Sequence, residues 1–225
     1  MRAALAISLV LAAFAIANTA ASLLALALGR AVRGHVGGLG ARARAASWLG
    51  LLFFPAGAAV LAAALVATAF VQYEPQDARE VPGPALLLAG ATGAWLVAAS
   101  IRRVARARRA TRRFLAERVP GGRTLALAGA PAPVLCVRPG FPAVALVGVS
   151  HPRLLLAESA LEALAPDELA VVLAHEAAHV RAGDNFKSLL AEAAAWPFGL
   201  GAATLRAWRQ ASEELADTRA ARGSS

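Results

Sequence analysis

Three long stretches of the chain contain no charged residue. They cover residues 3–28, 47–71 and 84–101. Each approaches or exceeds the roughly 18–20 apolar residues with which a helix crosses the core of a bilayer. Buried helices of a soluble protein are the alternative, but three such stretches in a chain of 225 residues favour the membrane. The pattern therefore predicts three transmembrane helices in a region that covers residues 1–101.

The pattern changes after residue 123, where short apolar runs are separated by proline and glycine. The runs TLALAG, PVLCVRP, AVALVGV and PRLLLAES predict the strands of a small sheet. A helix is then expected from Pro166 to Ala182, because proline suits the first helical position and Gly183 suits the stop. Beyond it we expect a helix, a Pro/Gly bend and a last helix, with Trp196 and Phe198 at the membrane interface. Residues 124–225 are thus predicted to form one α+β domain.

Composition supports the membrane class, and the placement of charge gives the orientation. The chain is 58% hydrophobic and 16% charged, with a net charge of +9 that is almost entirely arginine. Loop 29–46 carries four arginines and no acid, loop 72–83 carries one arginine and three acids, and residues 102–123 carry nine arginines and one acid. Positive loops stay in the cytoplasm. This predicts a plasma-membrane protein with an outside amino terminus and a cytoplasmic domain. A cleaved signal peptide at residues 3–28 is the alternative.

The arginine-rich residues 102–123 are expected to be a basic linker next to the membrane. Arginines directly inside a span suit the anionic headgroups of the lipid bilayer, which we therefore expect as a partner. No nucleic acid is expected, because no aromatic residue is interleaved before Phe114. Cys136 is the only cysteine, which excludes an intramolecular disulfide. The sequence does not indicate an oligomeric state.

The segment LAHEAAHVRAGDN carries the candidate chemistry. His175 and His179 are four residues apart on the predicted helix, so both imidazoles reach one ion, while Glu176 is placed to take a proton from water. A catalytic zinc needs a third protein ligand. We expect Glu213, with Glu214 as the fallback, and Asp217 as the acceptor for the second N–H of a ligand histidine. A solvated acidic patch on a terminal helix is the alternative for these acids.

These residues resemble a known group. The run FPAVALVGVSHPRLLLAESALEALAPDELAVVLAHEAAHVRAGDN, followed by EELAD, is similar to the integral-membrane zinc peptidases of the BlaR/MecR type, which are gluzincins with HExxH and a downstream ExxAD. The resemblance covers residues 124–222. It implies a zincin-like fold, one Zn²⁺ held by His175, His179 and Glu213, Glu176 as general base, and Asp217 beside the ligands. The related HtpX and CAAX-protease-like peptidases place two spans between their motifs, which the 33 residues between His179 and Glu213 do not accommodate.

The expected function is zinc-dependent cleavage of a cytoplasmic or membrane-proximal protein or peptide, with regulatory proteolysis as one role. The substrate is expected to add as a strand beside residues 143–149. A zinc-binding sensor without hydrolysis and a membrane-anchored interaction protein are the alternatives. Beta-lactam sensing is not expected, because residues 1–225 include no sensor domain of the resembled receptors. Arg219 and Arg222 are weak candidates for an oxyanion partner, and His35 and His151 are expected to be ordinary polar residues.

Overall fold

A computed structural model describes residues 2–74, 80–119, 123–127, 129–137, 144–194 and 196–223 of the chain. The helices are α1 (Arg2–Ala31), α2 (Arg33–Gly37), α3 (Ala41–Tyr73), α4 (Pro84–Arg118), α5 (Glu158–Ala163), α6 (Pro166–Ala182), α7 (Asp184–Ala193) and α8 (Ala202–Gly223). The strands are β1 (Arg123–Leu125), β2 (Val134–Val137), β3 (Val144–Val147) and β4 (Arg153–Ala157). The chain groups into two compact units, Met1–Arg103 with Ala191–Trp208 and Val104–Leu190 with Arg209–Ser225.

Three helices are long and apolar enough to cross a membrane. They are α1, α3 and the Pro84–Glu117 part of α4, and they contain the three predicted spans. The helices are longer than the uncharged stretches, since α3 includes Arg42 and Arg44 and α4 continues to Arg118. Alanine and arginine are good helix formers, so nothing in residues 102–118 stops the helix. Most of the predicted basic linker is therefore a helical continuation of the third apolar segment.

The predicted outside loop, residues 72–83, is described only in part. Residues 75–79, which include Asp77 and Arg79, lie outside the described residues. On either side of this gap, α3 ends at Tyr73 and α4 begins at Pro84. The orientation of the three helices stays a prediction from the distribution of arginine.

Within the first unit, α1 and α4 approach each other closely at two glycines of α4. A Cβ built on Gly93 would lie 2.1 Å from the carbonyl oxygen of Leu11, and one built on Gly90 would lie 3.2 Å from that of Ser8. At Gly93 only glycine permits this approach of two helix backbones, whereas at Gly90 a Cβ would be tightly packed. The sequence of α4 is thus adapted to pack directly against the α1 backbone.

The segment Ala191–Trp208 belongs to the same unit. It contains the bend predicted from proline and glycine, which is a short 3₁₀ turn at Pro197–Gly199. Trp196, predicted to lie at a membrane interface, is buried, and its indole N–H donates a 2.8 Å hydrogen bond to the Leu52 carbonyl of α3. Phe198 is predicted to lie at the same interface, and its side chain is outside the described side chains. Trp196 therefore joins this segment to α3.

The second unit is built on a four-stranded mixed sheet in the order β1-β2-β4-β3. β1 pairs with β2 and β3 pairs with β4 in antiparallel fashion, whereas β2 and β4 are parallel. All four predicted apolar runs form strands. β4 is the most buried of them, and β3 is one edge of the sheet among the described residues. A small sheet is thus confirmed, and its edge strand is the run predicted to receive substrate.

Helix α6 begins and ends where the sequence predicts. Pro166 is its first residue, and the Glu168 carboxylate accepts a 2.9 Å hydrogen bond from the backbone N–H of Ala165. It ends at Ala182 and is capped by Gly183, whose φ of 67° is the left-handed conformation that glycine adopts without strain. Leu173 packs into the core formed by β2, β4 and α5. Because a helix turns by about 100° per residue, His175 points away from that core.

Candidate metal centre

Three side chains from two helices meet at one point of the second unit. His175 and His179 lie one turn apart on α6, and Glu213 comes from α8. One ligand atom from each lies within 4.8 Å of the other two. The two histidine Nε2 atoms are 3.1 Å apart, and the Oε2 atom of Glu213 is 3.5 Å from each of them. The three predicted ligands are therefore brought together.

The other ring nitrogen of each histidine faces a carboxylate. His175 Nδ1 lies 2.9 Å from Asp217 Oδ1, and His179 Nδ1 lies 2.8 Å from Asp184 Oδ2. A carboxylate only accepts hydrogen bonds, so each Nδ1 must carry the hydrogen. In the neutral imidazoles both Nε2 atoms are then lone-pair donors directed at each other. Asp217 occupies the position that the sequence predicts for it.

This convergence of lone pairs requires a positive charge. A shared proton could bridge the two Nε2 atoms at 3.1 Å, but Glu213 Oε2 at 3.5 Å is too far to join that hydrogen bond. A tetrahedral zinc with bonds of 2.0–2.2 Å would separate its ligand atoms by about 3.3–3.6 Å. All three observed separations lie near that range. Two imidazoles and one carboxylate are also a common zinc donor set, so the residues fit Zn²⁺.

Asp184 is the centre of a hydrogen-bond network that the sequence analysis did not assign. Its Oδ2 atom accepts from His179 and, at 2.6 Å, from the hydroxyl of Ser212 on α8, while Lys187 Nζ lies 3.4 Å from Oδ1. The αL turn at Gly183 lets the chain reverse after α6 and directs Asp184 back toward His179. A glycine stop followed by an acid, five residues after a ligand histidine, was a signal that the sequence offered. Ser212 offered none beyond its place next to Glu213.

The network changes the pKa values of its members. The hydrogen bond to Asp184 raises the pKa of His179 above 6.5, although burial opposes it. Burial raises the pKa of Asp184, but the hydrogen bonds from His179 and Ser212 outweigh it, and the net pKa lies below 3.8. Asp184 is therefore an anion at neutral pH. An ionised acceptor fixes the tautomer of His179 and leaves its Nε2 available to a metal.

Glu176 follows His175 on α6 and is half-buried. Burial raises the pKa of its carboxyl above 4.5, the two histidines lower that pKa, and the Glu213 carboxylate raises it. These mutual effects mean that Glu176 lies near the three convergent groups without being one of them. A carboxylate that is partly withdrawn from water and close to a metal centre is suited to proton transfer. The role of Glu176 as a base stays a prediction.

Comparison with known proteins now adds a family to this geometry. Residues 145–220 match the model of Peptidase family M48. The match covers about a third of the chain, from β3 to most of α8, and it includes each residue of the metal centre. Peptidases of family M48 are typically zinc-dependent. No curated protein and no solved structure matched the chain significantly.

The M48 match supports a metallopeptidase of a membrane zinc-peptidase family in the broad sense. It does not single out the BlaR/MecR type, which stays a resemblance of motifs. The three apolar helices suggest membrane association independently of the family match. The family match and the apolar helices concern different parts of the chain, since the match covers residues 145–220 and the helices lie in residues 2–117.

The remaining predicted residues lie elsewhere. Glu214, the fallback ligand, directs its carboxylate to Gln210 at 3.3 Å. His35 is exposed on α2, and His151 is exposed in the turn between β3 and β4. The oxyanion candidates Arg219 and Arg222 are six and nine residues beyond Glu213, which is roughly 9 and 13 Å of helix. Their role stays a prediction.

Proposed function

We propose that this chain is an integral-membrane, zinc-dependent endopeptidase that hydrolyses peptide bonds of a cytoplasmic or membrane-proximal protein, with one zinc per chain. The observation that carries the proposal is the convergence of two imidazole Nε2 atoms and the Glu213 carboxylate, with both Nδ1 atoms held by acids. The M48 match supports the same activity. His175, His179 and Glu213 would hold the metal.

The donor set argues for a catalytic centre over a closed structural one. The group of ligand atoms found among the described residues comprises three side chains. A structural zinc takes four protein ligands, whereas a catalytic zinc takes three and keeps a position for water or substrate. When bound, zinc polarises a carbonyl and lowers the pKa of water from about 15.7 to about 7.

Glu176 supplies the proton transfers. Its carboxylate accepts one proton from the attacking water as the water oxygen bonds to the scissile carbonyl carbon. The same proton then passes to the leaving nitrogen as the C–N bond breaks, so the carboxylate is regenerated and one water is consumed. The raised pKa of Glu176 makes it a stronger base than an exposed glutamate, which favours the first transfer.

An extended segment of the substrate would pair with β3. This strand is an edge of the sheet among the described residues, so one side of its backbone is not engaged by another strand. Edge strands bind extended peptides through main-chain hydrogen bonds. Unfolded or loop segments are the substrates that can adopt this conformation.

The membrane arrangement belongs to the same proposal. An outside amino terminus and a cytoplasmic second unit follow from the arginine distribution. The continuation of α4 presents exposed arginines, among them Arg102, Arg106 and Arg109, where anionic headgroups would meet them. Lipid binding at this helix is the expected consequence.

The decisive variant is Glu176→Gln, which keeps the size of the side chain and removes the base. Purified full-length protein in detergent, loaded with zinc, should cleave unfolded casein, and the variant should lose at least about a hundredfold in kcat. Metal analysis of the same samples should find one zinc per chain in both. The matched control is Glu214→Gln, whose carboxylate faces Gln210, and it should cleave like the wild type.

Two outcomes would contradict the proposal. Full activity of Glu176→Gln would exclude Glu176 as the base. Unchanged zinc binding in His179→Ala would exclude the proposed ligand set, because the removal of one of three ligands should release the metal.

A further inference from the structure

Two consecutive residues join the metal centre to the edge strand. Asp184 accepts from His179, and Asn185 donates from Nδ2 to the carbonyl of Leu146 at 3.2 Å and to that of Gly148 at 2.8 Å. The Cα atoms of consecutive residues are 3.8 Å apart. The end of β3 is therefore fixed at a short, constant distance from a ligand histidine.

The register of the sheet determines which backbone groups of β3 face outward. The backbone N–H of Leu154 in β4 donates to the carbonyl of Pro133, next to β2. The backbone N–H and C=O of Leu154 therefore point toward β2 and away from β3. In an antiparallel pair, the bonded and non-bonded residue pairs alternate. Leu146 lies opposite Leu154 and Val144 lies two residues earlier, opposite Leu156. Both Val144 and Leu146 therefore direct their N–H and C=O groups away from β4, toward the outer edge.

Asn185 uses part of this outer edge. The side-chain amide has two N–H groups, and the two carbonyls of Leu146 and Gly148 account for both. Gly148 has a φ of 102°, and a Cβ there would lie 2.7 Å from the carbonyl oxygen of His151. Glycine thus allows the tight exit from β3 that presents its carbonyl to Asn185. The outward groups that Asn185 does not engage are both groups of Val144 and the N–H of Leu146.

We propose that Asn185 sets the register of the bound substrate strand, an inference that rests on the proposed peptidase function. An extended protein segment forms main-chain hydrogen bonds with the N–H and C=O of Val144 and with the N–H of Leu146. The pairing ends there, because Asn185 already binds the carbonyls of Leu146 and Gly148. Because Asp184 ties the same turn to His179, the register fixes which peptide bond reaches the metal. Asn185 is a positioning residue that acts through β3, and it determines the length of the paired segment.

Two variants test the proposal. Asn185→Asp keeps the shape but places a carboxylate without N–H groups against two carbonyl oxygens, so the end of β3 should be released. Val144→Pro removes an outward N–H at a position where proline is tolerated, the open side of an edge strand. Val144→Ala is its control, because it keeps the N–H and loses the packing of the valine side chain against the core. With zinc-loaded, full-length protein and casein as substrate, Asn185→Asp and Val144→Pro should each raise KM about tenfold with a much smaller change in kcat, which corresponds to the loss of one or two hydrogen bonds.

The positions of the cleaved bonds, identified by mass spectrometry, provide the readout specific to register. The wild type should cut casein at a few preferred bonds, whereas Asn185→Asp should spread the cuts over neighbouring bonds. Zinc content and thermal unfolding should stay close to wild type. A folded, zinc-loaded Asn185→Asp protein with the wild-type KM and cleavage pattern would overturn the inference.

Binding measurements separate this inference from the proposed function. Fluorescein-labelled casein should bind zinc-loaded Glu176→Gln, and the double variant with Asn185→Asp should bind about tenfold more weakly. If the wild type cleaved no bond, the proposed function would fail while the binding comparison still decided the inference. If Asn185→Asp did not fold, Val144→Pro in the Glu176→Gln background would take its place, and undiminished casein binding there would refute pairing at β3.

Discussion

The buried carboxylate behind His179 should matter more for metal binding than the exposed one behind His175. Asp184 and Asp217 face the Nδ1 atoms of the two histidines at 2.8 and 2.9 Å, so the distances are alike. Their surroundings differ, since the side chain of Asp184 is 13% exposed and that of Asp217 is 71% exposed. Water screens the charge of an exposed carboxylate and can replace it as an acceptor. The substitutions Asp184→Asn and Asp217→Asn are therefore a matched pair.

The magnitude follows from the contacts that each substitution breaks. Loss of a carboxylate behind a metal-binding histidine costs about 10–100-fold in metal affinity, or about 1.4–2.7 kcal/mol. In Asp184→Asn the amide oxygen can still accept from His179, but the NH₂ group then faces Lys187 Nζ, which is 3.4 Å from the second carboxylate oxygen. We expect Asp184→Asn to lose about 10–100-fold in zinc affinity and Asp217→Asn to lose clearly less.

Zinc dissociation constants can be measured by competition with a chromophoric chelator, on full-length protein in detergent. Thermal unfolding of the metal-free proteins shows whether each variant is folded. Asp184→Ala adds a second comparison, because it leaves the buried hydroxyl of Ser212 without its acceptor at a cost of about 1–3 kcal/mol of stability. Equal zinc affinities for the two asparagine variants, or a larger loss for Asp217→Asn, would refute the reasoning from burial.

Two further predictions concern the folded state. In metal-free protein, the raised pKa of His179 adds stability that is complete below pH 6.5 and is lost as the pH rises through the raised value. The lowered pKa of Asp184 adds stability that is complete above pH 3.8 and is lost as the pH falls through the lowered value. The difference in melting temperature between wild type and Asp184→Asn with chelator should thus be largest between these values, and a larger difference at alkaline pH would contradict it. Gly93→Ala should force α1 and α4 apart and lower the melting temperature, because its Cβ would lie 2.1 Å from the Leu11 carbonyl oxygen, whereas Gly57→Ala, where no heavy atom lies within 4 Å of the built Cβ, should not.

Local patterns allowed much of this protein to be predicted from its sequence. The three apolar helices follow from uncharged stretches of sufficient length, and the bounds of α6 follow from Pro166 and Gly183. The placement of His175 and His179 on one side of α6 needs only their spacing of four residues. Glu213 and Asp217 were predicted because the same spacing recurs on a second helix, although no local pattern requires that helix to lie beside α6.

Only the tertiary structure assigned partners across distant parts of the chain. Asp184 and Ser212 are 28 residues apart, and Asn185 and Leu146 are 39 residues apart, so neither pair leaves a periodic signal. Each contact forms because α8 and β3 pack around the turn that follows α6. The sequence by itself therefore determined the elements and the chemistry of the ligands, since both depend on near neighbours. Folding alone decided that Asp184 and Ser212 support His179 and that Asn185 holds the end of β3, because these hydrogen bonds depend on separation in space.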